Sequence, residues 1–96
     1  MLYQISWKMY ADKKMDCFKA FSKMTPEDDV KDAGDLVKIV GRWHTLGGGS
    51  GVCICETDSV ESLTSWMLNW AGMCDIDVIP VIEDATVRKV VSEKLG

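Results

Sequence analysis

Ninety-six residues, 47% apolar and 27% charged, describe one globular domain with one core, neither disordered nor fibrous. A net charge of −4, with lysines scattered from Lys8 to Lys94, excludes the clustered basic surface that a nucleic acid needs. A chain this short buries only about 60–65% of its unfolded surface, so covering one sheet face with a second subunit would add to a thin stability.

The opening residues, Met1 to Lys8, alternate Tyr3, Ile5 and Trp7 with Gln4, Ser6 and Lys8, which is the period of a half-buried strand over Leu2–Lys8. They show no basic start followed by an apolar stretch, so no secretory signal is expected. No apolar run reaches the ~18 residues of a membrane span, and no membrane partner is expected. Four cysteines (Cys17, Cys53, Cys55 and Cys74) then read as reduced thiols of a cytoplasmic protein.

Asp12 is placed to cap a helix over Lys13–Lys23, with Met15, Cys17, Phe18, Ala20, Phe21 and Met24 as its apolar stripe. Thr25-Pro26-Glu27-Asp28 puts a capping residue before proline, which predicts a short acidic helical turn. The turn is expected to decorate the surface, with Glu27, Asp28, Asp29, Asp32 and Asp35 in solvent.

A second strand covers Leu36 to Thr45. Strict alternation turns Val37, Ile39, Gly41 and Trp43 one way and Lys38, Val40, Arg42 and His44 the other. Gly47–Gly51 predicts a hairpin turn, with no lysine and hydroxyl residue to make it a phosphate loop. A third strand runs from Val52 to Glu56. Asp58 and Glu61 have capping-box spacing for a helix over Ser59–Ala71, whose face carries Val60, Leu63, Trp66, Met67 and Trp70. The fourth strand covers Asp75 to Ile82, with Pro80 favouring a sheet edge. Glu83-Asp84 opens a last helix with Val87, Val90, Val91 and Leu95 on one stripe.

The order β-α-β-β-α-β-α predicts an α+β, ferredoxin-like βαββαβ sandwich as a single domain over residues 1–96: a four-stranded antiparallel sheet, helices on one face, and an extra C-terminal helix. Ile5, Val37, Ile39, Ile76 and Val78 fit the interior. The other face, carrying Lys38, Arg42, His44 and some aliphatics, is too apolar for water and too polar for a core. A homodimer stacking sheet on sheet would cover it and leave a semi-polar cavity between subunits.

Gly41-Arg42-Trp43-His44 with its glycine turn, Glu56-Thr57-Asp58, the Trp66–Trp70 pair and Asp77-Val78-Ile79-Pro80-Val81 together resemble a family of small uncharacterised proteins, a domain of unknown function. That family is similar to the dimeric α+β-barrel superfamily of ferredoxin-like folds, and the resemblance covers residues 1 to 85. It implies a fold, a dimer and a cavity but no reaction, since relatives include cofactor-independent monooxygenases, haem-degrading enzymes, isomerases and lyases.

Arg42, Trp43 and His44 make the best candidate site. On one strand face Arg42 and His44 would stand about 6.5–7 Å apart, able to hold an anion together. His44 is the one histidine and the candidate catalytic base. An ion-paired arginine and a strand-end histidine would account for them equally well. Trp66 and Trp70, with Asn69 between them, could line an aromatic pocket or simply fill the core. Cys53 and Cys55, with His44 on the next strand, resemble soft metal ligands, but a C-x-C spacing on a strand spreads the sulfurs, so no metal is expected. No cofactor motif is present. RNA recognition on this topology needs aromatics on the third strand, and Val52–Glu56 has none. Asp75 and Asp77 have no partner acid for glycosidase chemistry. Two functions stay open: a dimeric small-molecule-binding or interaction domain, or a cofactor-independent enzyme, monooxygenase- or isomerase-like, using His44 and Arg42.

Overall fold

The alternating N-terminal strand is the middle of the sheet. A computed structural model describes residues 1–96, and in it β1 (Leu2–Met9) pairs antiparallel with both β3 (Ser50–Glu56) and β4 (Cys74–Val81). β2 (Lys38–His44) completes a four-stranded antiparallel sheet in the order β2-β3-β1-β4. Ile5 stands between Cys53 and Val78 across the two ladders. This order, with crossover helices on one face, is the ferredoxin-like α+β arrangement. Pro80 falls on β4, an edge strand, where a missing N–H costs least.

Helices α1 (Lys14–Ser22), α2 (Pro26–Ala33) and α3 (Val60–Trp70) supply the covering layer. Ile5, Cys53, Cys55, Val37, Ala33, Leu63 and Trp66 form the buried cluster, with Ile39, Ile76 and Val78 packed against it. The five expected interior residues therefore all face the helices. α1 differs from its expected stripe: it buries Cys17, whereas Met15 and Ala20 are exposed. Its N-cap is Lys13, without a side-chain hydrogen bond, so Asp12 does not cap it.

The acidic segment is a true packed helix and not a decoration. Thr25 Oγ1 accepts from the Asp28 N–H at 3.2 Å while the Asp28 carboxylate accepts from the Thr25 N–H at 2.9 Å, a reciprocal capping box. Its far end buries Ala33, and it stops at Gly34, whose φ of 88° suits a residue without a Cβ. α3 begins one residue later than the spacing suggested. Ser59, not Asp58, caps it by accepting from the Ser62 N–H at 3.1 Å. Thr57 organises this corner from a buried position, donating to the Leu36 carbonyl at 2.7 Å and accepting from the Ser59 N–H at 3.0 Å.

Two features of β2 and β3 decide which way the site residues point. Ile39 stands opposite Cys55 and Gly41 opposite Ile54, so Val40 is an extra residue, a β-bulge. The bulge reverses the alternation beyond it. Arg42 and His44 turn to the helix side with Ile39, and Trp43 turns to the open face. Gly51, opposite Trp7 on β1, has the Trp7 indole and the Trp43 carbonyl where a Cβ would lie.

α4 (Asp84–Leu95) stands apart, with no residue buried. No helix is long and apolar enough to cross a membrane.

Candidate functional site

A cavity of about 70 Å³ lies between the sheet, α1 and α3. Ile5, Trp7, Met9, Cys53 and Cys74 line it from the sheet, Cys17 and Phe21 from α1, and Trp66, Met67 and Trp70 from α3. Its two remaining lining residues, Arg42 and His44, are the polar ones and come from β2 beyond the bulge. The volume suits a few waters or a small organic group.

His44 is held by rings, not by hydrogen bonds. The Trp7 ring meets it edge-on with centroids 5.3 Å apart, and the Phe21 ring lies tilted at 5.1 Å. Loss of solvent, and then the nearby Arg42 charge, hold its pKa below the ordinary 6.5, so the imidazole is neutral at pH 7. The Arg42 guanidinium sits 5.1 Å over the Phe21 centroid, a cation–π contact. Its Nη2 approaches Asp29 Oδ1 of α2 at 3.0 Å, with both side chains largely buried. That oxygen makes no aligned hydrogen bond, so the contact is a charge pairing that leaves most of the guanidinium donors free.

Behind the cavity, Asp32 binds α2 to α3. Its Oδ2 accepts from Trp66 Nε1 at 3.0 Å and Trp70 Nε1 at 2.7 Å, and its Oδ1 accepts from Asn69 Nδ2 at 2.9 Å. The two indoles thus present their rings to the cavity while their N–H groups are satisfied on the far side.

The thiols on the cavity wall are protonated at neutral pH. Burial, then the Cys55 neighbour, pushes Cys53 up to about 11. Burial, then the adjacent Cys17, pushes Cys74 up to about 12, the two sulfurs being 3.8 Å apart. Cys53 and Cys55 are core side chains on the helix face of β3.

Four of the six sequence candidates, Arg42, His44, Trp66 and Trp70, therefore meet at one cavity. It lies under the helices, where strict alternation had turned Arg42 and His44 toward the open face. Trp43 is the exception, 58% exposed on that face. Asn69 is an Asp32 ligand and does not line the cavity. Sequence reasoning missed Asp29, Asp32, Phe21 and Trp7. The spacing of Asp29 and Asp32, three apart on one side of a helix, was the available signal for the first two.

The sheet order and the helix-side cavity define a small ferredoxin-like α+β domain with a mostly apolar pocket closed on its polar side by an arginine and a histidine. The family of this domain is shown directly. The chain belongs to the family described as Domain of unknown function (DUF3303), whose model matches residues 1–95. No curated protein matches the chain.

Proposed function

We propose that the chain is a small-molecule-binding domain, working as a homodimer, whose ligand has an apolar body and one hydrogen-bond-accepting group. The carrying observation is the cavity itself, with Arg42 and His44 as its two polar lining residues. Asp29 already balances the Arg42 charge and His44 is neutral, so the mouth offers donors without a full net charge. Such a mouth accepts a phenol or carbonyl oxygen as readily as a carboxylate. The pocket belongs to each chain separately, in place of the intersubunit cavity expected from alternation.

The homodimer reading is supported by the uncovered sheet face. Val52 and Ile54 are half-buried there, Trp43 and Ile79 are exposed, and no helix lies over them. Placement in the dimeric α+β-barrel superfamily, implied by the sequence resemblance, agrees with it. Four unpaired buried cysteines suit a reducing, cytoplasmic setting.

The second reading, a cofactor-independent enzyme with His44 as base and Arg42 holding substrate, draws on the neutral imidazole, which can take a proton. No hydrogen bond orients that imidazole, which favours binding over catalysis.

Calorimetric titration with phenol, benzoate and toluene tests the proposal. Phenol and benzoate are expected to bind, and His44→Ala to weaken phenol by about tenfold, the worth of one hydrogen bond. Absence of binding by all three probes, or phenol binding unaltered in both His44→Ala and Arg42→Ala, overturns it.

A further inference from the structure

We propose that α4 is an exchanged arm whose apolar stripe seats in the groove between α2 and β2 of a second copy of this chain. The inference rests on the homodimer reading and names where the two copies meet.

α4 is the one element with no packing partner. Val87, Val90, Val91 and Leu95 lie on one side of it and are 41–80% exposed. Apolar residues at i, i+3, i+4 and i+8 are a helix's means of docking, and here the stripe docks on nothing. The chain shows the consequence in its shape. Its radius of gyration is 15.5 Å with a long axis of 52 Å, against about 12–13 Å for a compact chain of this length.

The acidic α2 region supplies the matching surface. A groove of about 480 Å³ runs between α2 and β2, with Val30, Ala33, Val37 and Ile39 on its walls and Asp35 at its end. Val30 is 62% exposed and Leu36, beside the groove, 66% exposed. Charge points the same way. Between Thr25 and Asp35 five carboxylates face one lysine, a net −4 that equals the charge of the whole chain. α4 carries Arg88, Lys89 and Lys94 against Asp84 and Glu93. The lengths also agree, since the Val87–Leu95 stripe and the eight residues of α2 each span about 12 Å at 1.5 Å per residue.

Topology explains why the seat is on another copy. β4 and β2 are the two edges of the sheet, so α4 leaves the edge farthest from the groove. Only Ile82 and Glu83 separate β4 from α4, too few residues to carry the helix back across four strands ~4.8 Å apart. A two-fold pair setting the β4 edge of each copy beside the β2 edge of the other fills both grooves by the same contact.

Sedimentation velocity on the full chain tests this. The wild type is expected to be a dimer. Val87→Asp with Val91→Asp should raise the dimer dissociation constant about a hundredfold, with helix content by circular dichroism unchanged. Arg88→Glu with Lys89→Glu should raise it about tenfold, and adding Glu27→Lys and Asp35→Lys should restore most of that loss. Glu27 and Asp35 are used because the other acids of the segment already have partners: Asp28 in the cap, Asp29 at Arg42 and Asp32 at the tryptophans. A dimer indifferent to the valine changes places α4 outside the interface and leaves the homodimer reading standing. A charge reversal that Glu27→Lys and Asp35→Lys do not rescue moves the seat elsewhere, including the shallower groove between α3 and β4. A monomeric wild type overturns both.

Discussion

Removing the Asp32 carboxylate would leave the N–H groups of Trp66 and Trp70 without their acceptor, one of them in the buried core. Asp32→Ala is expected to cost about 2–4 kcal/mol, since hydrogen bonds to a charged group are lost and buried donors stay unpaired. In a domain of this size that is a fall in melting temperature of about 10 °C or more. A change within about 2 °C would show that water replaces the carboxylate and that α2 is not bound to α3 through it. His44 gives a pH signature of a different kind. Its folded-state pKa lies below the ordinary 6.5, so the unfolded chain takes up the proton first as pH falls. Stability is complete above pH 6.5, declines as pH falls below it, and stops changing once pH passes the folded-state pKa. Denaturation midpoints of His44→Gln should lack that decline. Asp28, lowered chiefly by its Thr25 backbone hydrogen bond, is also a depressed group, but its loss begins below its ordinary 3.8 and so falls in a separate window. Retention of the decline between pH 6.5 and 5 in the His44 variant would assign it to another group.

At the scale of elements, α2 is where expectation and structure part most. Its start was legible, because Thr25-Pro26 and Asp28 carry the chemistry of a cap. Its packing was not, because an acidic helix of eight residues looks solvated until Asp29 and Asp32 find Arg42 and the indoles across the fold. Thr25→Ala, which removes half of the capping box, is expected to cost about 1 kcal/mol in urea unfolding. A loss near zero would mean that packing alone holds the helix. The strands show a second kind of limit. Alternation located all four and placed Ile5, Ile76 and Val78 correctly, since β1 and β4 pair without interruption. It failed on β2, where one extra residue at Val40 inverts everything after it. Gly41, a glycine inside a strand, was the local sign of a bulge, but sequence does not reveal which side of it a side chain takes. The candidates Arg42 and His44 were therefore found by type, while their side of the sheet was not. Deleting Val40 should return both to the open face and abolish phenol binding, with the sheet retained by circular dichroism. Binding that survives the deletion would detach the cavity from the bulge.

For the whole molecule, a chain of 96 residues that leaves one sheet face and one amphipathic helix uncovered has not finished burying its apolar surface. Both exposures are stabilised by the same event, association of two copies, while the cavity under the helices remains within each chain. The open face and the helix-side cavity are thus different surfaces with different partners, a second chain and a small ligand. The four tryptophans separate them, since Trp7, Trp66 and Trp70 line the cavity and Trp43 lies on the open face. The most direct measurement is a 15N correlation spectrum of the indole N–H groups during titration with phenol. The Trp7 signal should shift with saturation, those of Trp66 and Trp70 less because Asp32 holds their N–H groups, and Trp43 not at all. A spectrum in which Trp43 moves and Trp7 does not would place the ligand on the open face and contradict the cavity as the binding site.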